Sequence, residues 1–299
     1  MNRSELLFYY DISNGNPNGD AYENKPRIDD ETGINLVTDV RLKRTIRDYI
    51  YNYKGKEIFV RDSLKKNGKL KKAEERAKDF KDEKQILEDC IDLRLFGALI
   101  PKKMTLTGPV QFKMGKSLHK VEVKHIKGTG GFASTGEESQ KTFREEYILP
   151  YSLIGFYGII NELAAKESKL TEEDIKILLE AMWNGTKNLI TRSKFGQVPR
   201  MLLQIEYKED YFFIGELDNR VKLNYETEEN DEYDLVKEDK ELRKIEQLKL
   251  DCHELIEVLE KNKNKIKQIN YKIDNYLKFE DDLLPKLKEL GIKIEEIKV

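Results

Sequence analysis

Few residues of this chain have the type and spacing that chemistry needs. Its histidines (His119, His125, His253) and cysteines (Cys90, Cys252) show no CxxC or HExxH spacing, so neither a metal site nor a cofactor is expected. Asn14, Asn16, Asn18 and Gly19 match the opening of a calcium loop, but Lys25 stands where its bidentate glutamate belongs. Gly128-Thr129-Gly130-Gly131-Phe132-Ala133 has dinucleotide-loop spacing, yet it runs into Ser134-Thr135-Gly136-Glu137 instead of opening a helix. Asp20, Asp29, Asp30 and Asp39 crowd the first loop. Such carboxylates can hold a metal or activate a nucleophile; they also cap turns and balance Lys25, Arg27 and Arg41. Phosphoryl-transfer loops, nucleophile elbows and Ser/His/Asp groupings are absent from the sequence.

What remains is cationic. In Leu36-Val37-Thr38-Asp39-Val40-Arg41-Leu42-Lys43-Arg44-Thr45-Ile46-Arg47, Thr38 is a good N-cap and Asp39 suits the positive end of a helix dipole. At about 100° per residue, Leu42, Ile46, Tyr49 and Tyr53 share one face and Arg41, Arg44 and Arg47 fall roughly opposite. Guanidinium groups so placed are either a solvated surface or a row of donors for phosphates. Lys113, Lys116, Ser117 and His119, then Arg144, then Thr191-Arg192-Ser193-Lys194 add basic and small polar residues on loops beside strands. Glycine-rich flanks let backbone N–H groups approach a phosphate, and Met114 and Phe132 are apolar wedges for bases. This is the pattern of a protein that holds single-stranded nucleic acid by its backbone.

The charge distribution agrees. The net charge of −2 hides a split: residues 1–225 carry +4 and residues 226–299 carry −6, while 41–127 alone carry +12. A basic stripe matters more to a polyanion than the total does. Two distant cysteines fit a reducing cytosol, and no apolar run approaches the ~20 residues of a membrane span or forms a secretory signal. A cytoplasmic location is expected, with no membrane partner.

The elements that must position these residues follow from periodicity. Residues 4–12 read as a buried strand, 14–20 as a turn, 38–53 as the cationic helix, and 54–85 as a projection with few apolar anchors. A helix is expected over Glu88–Ile100 with Leu93, Phe96 and Leu99 inward, and strands over Thr105–Phe112 and Leu118–Ile126. An exposed loop is expected over 127–142, then extended chain at Tyr147–Tyr151, a helix at about 152–166, and a Thr171-capped helix to about Asn188. Met201–Tyr207 and Tyr211–Leu217 read as a hairpin, and 224–241 as an acidic loop. Ile245 to Tyr276 keeps a formal heptad, so a coiled coil is one reading. A helix at about 240–261, a turn at Lys261–Lys265 and a strand at about 267–273 are preferred. A last helix ends near Gly291, before a final strand. The whole suggests an α+β fold with an antiparallel, ferredoxin-like sheet.

Several strings together resemble one family: Asn14-Gly15-Asn16-Pro17-Asn18-Gly19-Asp20; Thr38 to Asp48; Asp92-Leu93-Arg94-Leu95-Phe96-Gly97; Gly108-Pro109-Val110-Gln111-Phe112 followed by Lys116-Ser117-Leu118-His119; and Thr191-Arg192-Ser193. The chain is similar to the backbone subunit of a type I CRISPR Cascade complex, most like subtype I-B, in the repeat-associated mysterious protein superfamily. The resemblance implies a modified RNA-recognition fold shaped like a hand, with copies stacked in a filament along a guide RNA (crRNA). It implies a palm formed by 1–53, 86–116 and 147–299, a finger-like insertion at 54–85, and a thumb at 117–146 that displaces a base at intervals. Lys43, Arg44 and Arg47 match the family's phosphate-contacting helix, and Lys116, Ser117 and His119 its Arg-Ser-Leu-His type string, with lysine replacing arginine. The candidate RNA contacts are Asn16, Asn18, Arg41, Lys43, Arg44, Arg47, Gln111, Lys116, Ser117, His119, Phe132, Arg144, Arg192, Ser193 and Lys194. The implied partners are crRNA, further copies of the chain, other Cascade subunits and, through the guide, target DNA. The implied role is structural and not enzymatic. Two alternatives stand beside it: a metal-dependent endoribonuclease using Asp20, and a coiled-coil interaction module.

Overall fold

In the computed structural model, which describes residues 1–101, 103–133, 141–225, 236 and 238–298 (for 129–133 and 141–144, the backbone), the apolar run Leu6–Tyr10 lies within the first strand, β1 (Ser4–Gly15). Its side chains alternate between two cores. Leu6, Phe8, Tyr10 and Ile12 enter one; Leu7 and Tyr9 enter the other. With both faces covered, the run has no solvent side and so no polar alternation.

β2 (Ile34–Val37) leads into α1 (Asp39–Asn52), which starts at Thr38 as expected. The inserted segment and the residues just beyond it carry α2 (Ala73–Arg76), α3 (Glu83–Asp89) and α4 (Ile91–Phe96). The expectation of a projection that stands outside any core is corrected: Phe59, Ala77 and Ile86 join Cys90, Leu93 and Ile100 in a small core of their own. A single helix over Glu88–Ile100 is also corrected. α4 stops at Gly97, whose φ is +68°, and a Cβ there would lie 2.1 Å from the Leu106 carbonyl oxygen. The chain turns instead into the hairpin of β3 (Gly97–Ile100) and β4 (Met104–Thr107), which leaves Leu99 exposed.

β5 (Val110–Phe112), β6 (Gly115–Lys120) and β7 (Lys124–Ala133) precede the 20-residue β8 (Lys141–Ile160). β8 overturns two expectations. Residues 127–133 belong to a strand paired with β8 and not to an open loop, while 134–140 lie outside the described residues. Residues 152–160 are strand and not helix: Leu153 and Tyr157 enter one core, Ile154, Phe156 and Ile160 the other. A strand covered on both faces is apolar at most positions, so helical spacing finds matches in it without a helix. The helix α5 (Glu162–Ser168) begins only after Asn161, whose side chain accepts from the Leu163 N–H. α6 (Glu172–Lys187) opens on a capping box of Thr171 and Asp174, as expected.

β9 (Val198–Tyr207) pairs with β1, but its expected hairpin partner at 211–217 is irregular backbone. β10 (Lys222–Tyr225), β11 (Leu248–Asp251), α7 (His253–Lys261), β12 (Ile266–Ile273), β13 (Lys278–Phe279), α8 (Leu283–Glu289) and β14 (Lys293–Glu296) complete the chain. Most of the acidic stretch, 226–235 and 237, lies outside the described residues. The heptad of 245–276 does not form a coiled coil: it breaks at a turn over Lys263–Lys265 and continues as β12. That turn and strand stand where they were expected, though the helix before them starts at His253 and not near 240.

The main sheet runs β14-β12-β9-β1-β8-β6-β2, with β5 and β7 also paired to β8. Its ladders are antiparallel except for β12 with β14. α1 and α6 cover one face, through Leu42, Ile46, Leu178 and Met182. The C-terminal segment covers the other, through Leu250, Leu255, Leu259 and Leu287. The result is the expected α+β fold with a mainly antiparallel sheet. Among the described residues no helix is long and apolar enough to cross a membrane.

Covering both faces of β1 forces its acidic side chains inside. Glu5 is fully buried and accepts from the phenols of Tyr157 and Tyr207 and from the N–H groups of Ile214 and Gly215. Burial, then Glu5 itself, pushes both phenols far above their ordinary pKa, so they stay protonated donors. Asp11 accepts from Tyr151 and Arg200, and Arg200 also reaches Asp274 at 2.5 Å. Glu5→Ala strands two buried phenols at roughly 1–3 kcal/mol each before relaxation, and two partly buried N–H donors besides. Denaturant unfolding should therefore show a loss of at least about 3 kcal/mol; Glu5→Gln, which keeps one acceptor oxygen, should lose clearly less.

Candidate nucleic-acid interface

The N-terminal end of α1 is held by the first loop. The Asn18 side-chain oxygen accepts from the Thr38 N–H at 2.9 Å and from its hydroxyl at 3.0 Å, and the Thr38 hydroxyl accepts from the Arg41 N–H at 3.3 Å. Asn16 is fully buried; its backbone N–H donates to the Ser193 carbonyl at 2.7 Å and its side-chain amide to the Asn24 carbonyl at 2.6 Å. The 14–20 loop, the start of α1 and the 191–195 loop are thus stitched into one surface.

Two cations meet there. Arg41 and Lys194 are half-buried, and burial pulls both below their ordinary pKa, with Arg41 adding to the effect on Lys194. Arg41 donates to the Thr45 hydroxyl at 3.1 Å and leaves its Nε–H without an acceptor. Among the described residues neither cation makes an ion pair. Partly desolvated cations side by side favour a bound anion. Phe195 and Ile190 stand exposed on the same loop, and Arg192 reaches Glu146 on β8 at 2.6 Å.

The other cations of α1 differ from one another. Lys43 pairs with Asp39 at 3.0 Å, contacts the Gln111 side-chain oxygen at 3.3 Å and lies over the Phe96 ring. Arg44 points outward and bonds Asp48 at 2.8 Å. Arg47 was expected on the open face but is 9% exposed and bonds Asp92 at 2.9 Å. Asp92 is fully buried and also accepts from the N–H groups of Phe59 and Val60. Arg47 is therefore a strut between α1 and the inserted segment. Tyr53, expected on the core face, is exposed and stacks on Tyr49.

The Lys116-Ser117-Leu118-His119 string divides between inside and out. The Ser117 hydroxyl accepts from the Asn35 N–H at 2.9 Å and donates to the His119 carbonyl. His119 stacks on Tyr151, and its Nε2 accepts from the Leu153 N–H, which makes Nδ1 the donor to the Lys120 carbonyl. Burial lowers its pKa and keeps it neutral. Lys116 is exposed but lines a cleft of about 840 Å³ with Tyr9, Tyr157 and Asp218, on the face of the sheet opposite α1. The fold does not bring it to Arg41 and Lys194. Phe132 and Arg144 are described by their backbones alone, which sit in the β7–β8 hairpin.

Asp20 acts as a turn cap: it accepts from the N–H groups of Tyr22, Glu23 and Lys25, and these bonds, that of Glu23 foremost, hold its pKa below the ordinary value. Among the described residues no three His, Cys, Asp or Glu side chains are placed to hold a metal ion. Sequence reasoning missed the root of the β7–β8 hairpin, where His125 stacks on Tyr147 at 4.5 Å and Lys25 lies over the same ring at 4.8 Å. These positions share no motif, and only the register of β7 on β8 brings them together.

Arg47→Ala leaves the Asp92 carboxylate uncompensated, and denaturant unfolding should show a loss of about 3–5 kcal/mol. His119 binds its proton less readily folded than unfolded, so stability rises with pH between its lowered folded pKa and the unfolded value near 6.5. Unfolding free energies at pH 5 and 7 should differ more in the parent chain than in His119→Gln.

The family described as CRISPR-associated protein Cas7 matches residues 2–253. A curated relative, the CRISPR-associated protein Cas7 of Haloferax volcanii, is 29% identical over 342 positions, spanning 100% of this chain and 97% of the relative. Two solved chains share the fold. One, from a "CRISPR RNA-guided surveillance complex, pre-nicking", has a TM-score of 0.53 at 12% identity and covers 97% of this chain and 99% of its own. The other, from a "CRISPR RNA-guided surveillance complex", has a TM-score of 0.54 at 10% identity and covers 97% and 98%. The chain belongs to the Cas7 family of CRISPR-associated proteins.

Proposed function

We propose that this chain is the backbone subunit of a CRISPR RNA-guided surveillance complex. Copies line up along a crRNA, neutralise its phosphates, assemble with the other subunits and leave the spacer bases free to pair with target DNA. The role is structural and not enzymatic, and the complex works in the cytoplasm. The family match over residues 2–253 supports the assignment, and the observation that carries it is the meeting of Arg41 and Lys194, both half-buried, at the stitched end of α1. A phosphate there relieves the charge that burial has stranded, and the exposed Phe195 and Ile190 offer apolar surface to bases.

In this reading the fold is a modified RNA-recognition hand. The main sheet with α1 and α6 is the palm, residues 54–85 with their own small core are the finger, and the β7–β8 hairpin is the thumb that folds over the guide. Lys43 with Gln111, Arg44, Arg192 and Ser193 extend the phosphate track from Arg41 and Lys194, and Phe132 and Arg144 belong to the thumb. Asn16, Asn18, Ser117 and His119 serve it from beneath, by holding the loops and strands on which the contacts stand.

The test is the nucleic acid that travels with the purified protein. Sequencing should find RNA with repeat-derived ends. Arg41→Ala combined with Lys194→Ala should lower the salt slope of RNA retention by about 2, one per phosphate contact removed. RNA retention that is unchanged across a KCl series would remove this surface from the guide's path.

A further inference from the structure

Arg44 on α1 and the inserted segment line an open pocket of about 220 Å³. Five cations line it (Arg44, Arg61, Lys71, Lys72 and Arg76) with one carboxylate, Asp62. The acids that balance these cations lie outside the lining. Glu57 holds Arg61 and Arg76, Asp79 holds Lys71 and Arg76, and Asp48 holds Arg44. Counting those three acids and Asp62 against the five cations still leaves one positive charge in excess. Lys72 makes no ion pair among the described residues, since the Glu75 carboxylate beside it is held by Lys65. Arg76 is 7% exposed, and its Nε–H has no acceptor.

We propose that this pocket is a phosphodiester site shared between α1 and the inserted segment, distinct in position from Arg41 and Lys194 and joined to their track only through Arg44. Its volume of about 220 Å³ is ample for one phosphate group. Guanidinium forks fit phosphate oxygens in pairs, and Lys72 supplies a point charge at the mouth. One phosphodiester carries the single negative charge that the lining lacks. The site gives the inserted segment a purpose beyond bulk: α1 holds one strand at its N-terminal end and, through Arg44, a second phosphate position toward the insertion.

This inference rests on the guide-binding function above, and the phosphate can come from the guide or from the target strand. The test uses the assembled complex carrying Lys72→Glu, beside Lys78→Glu as a charge reversal on an exposed side chain of the same segment outside the pocket. Guide RNA retained through size exclusion and filter binding of a complementary DNA strand are both measured across a KCl series. With Lys72→Glu, one of the two should weaken about tenfold at low salt and its salt slope should flatten by about 1, while Lys78→Glu leaves both in place. A fall in guide retention assigns the phosphate to the guide. A fall in DNA binding with the guide retained assigns it to the target strand. Silence of Lys72→Glu in both measurements, or equal losses in the two variants, overturns the site alone. An RNA-free parent complex overturns the function and the site together.

Discussion

The burial of β1 on both faces is the constraint on which the rest of this structure depends. A central strand with no solvent side must be apolar throughout, and any charge it carries must find partners inside. Glu5 and Asp11 are those charges. Glu5 gathers two phenols and the backbone at 214–215, and Asp11 gathers Tyr151 and Arg200. Through them the strand that begins the fold fixes where the C-terminal half lies. That half in turn covers the face of the sheet that would otherwise stand open, and α1 is left as the cationic helix of the opposite face.

Along α1, charge alone does not say what a cation does; its partner does. Arg47 meets a fully buried carboxylate and becomes part of the scaffold. Arg44 pairs near the surface with Asp48 of its own helix, a bond that contributes little to stability, while Lys43, 12% exposed, pairs with Asp39. Arg41 is partly desolvated and makes no ion pair among the described residues, with Asp48 acting on it only from beyond contact distance, which makes it the cation with most to gain from an anion. Four cations within two turns of one helix therefore sit in four different electrostatic settings, set by what stands opposite each of them.

Local signals in the sequence were legible where the chain alone decides the structure. The Thr38 and Thr171 caps, the apolar first strand, the Lys263–Lys265 turn before β12 and the stop near Gly291 all rest on neighbours a few residues apart. The failures share a cause. At 152–160 and 127–133 the decisive fact is what covers or pairs with the segment from a distance, and periodicity within it is silent on that. At Gly97 a carbonyl nine residues on ends the helix. The candidate site was legible as a set of residue types, and the fold brings Arg41, Lys194, Asn16 and Asn18 close together. It was not legible as geometry, because Asp92, the buried partner of Arg47, and the sheet face taken by Lys116 are both set by tertiary pairing.

The length of β8 has a consequence of its own. Its 20 residues serve at one end as an arm of the hairpin and at the other as the neighbour of β1 in the middle of the sheet. At about 3.3 Å per residue this is a single beam of roughly 65 Å with no joint between the two roles. Adding or deleting one residue within it inverts every side chain beyond that point, exchanging Phe156 for Tyr157 between the two cores. Descendants of this chain can lengthen or shorten the hairpin only in steps that preserve parity, or at its tip, so the beam acts as a ruler that evolution can extend but not freely recut.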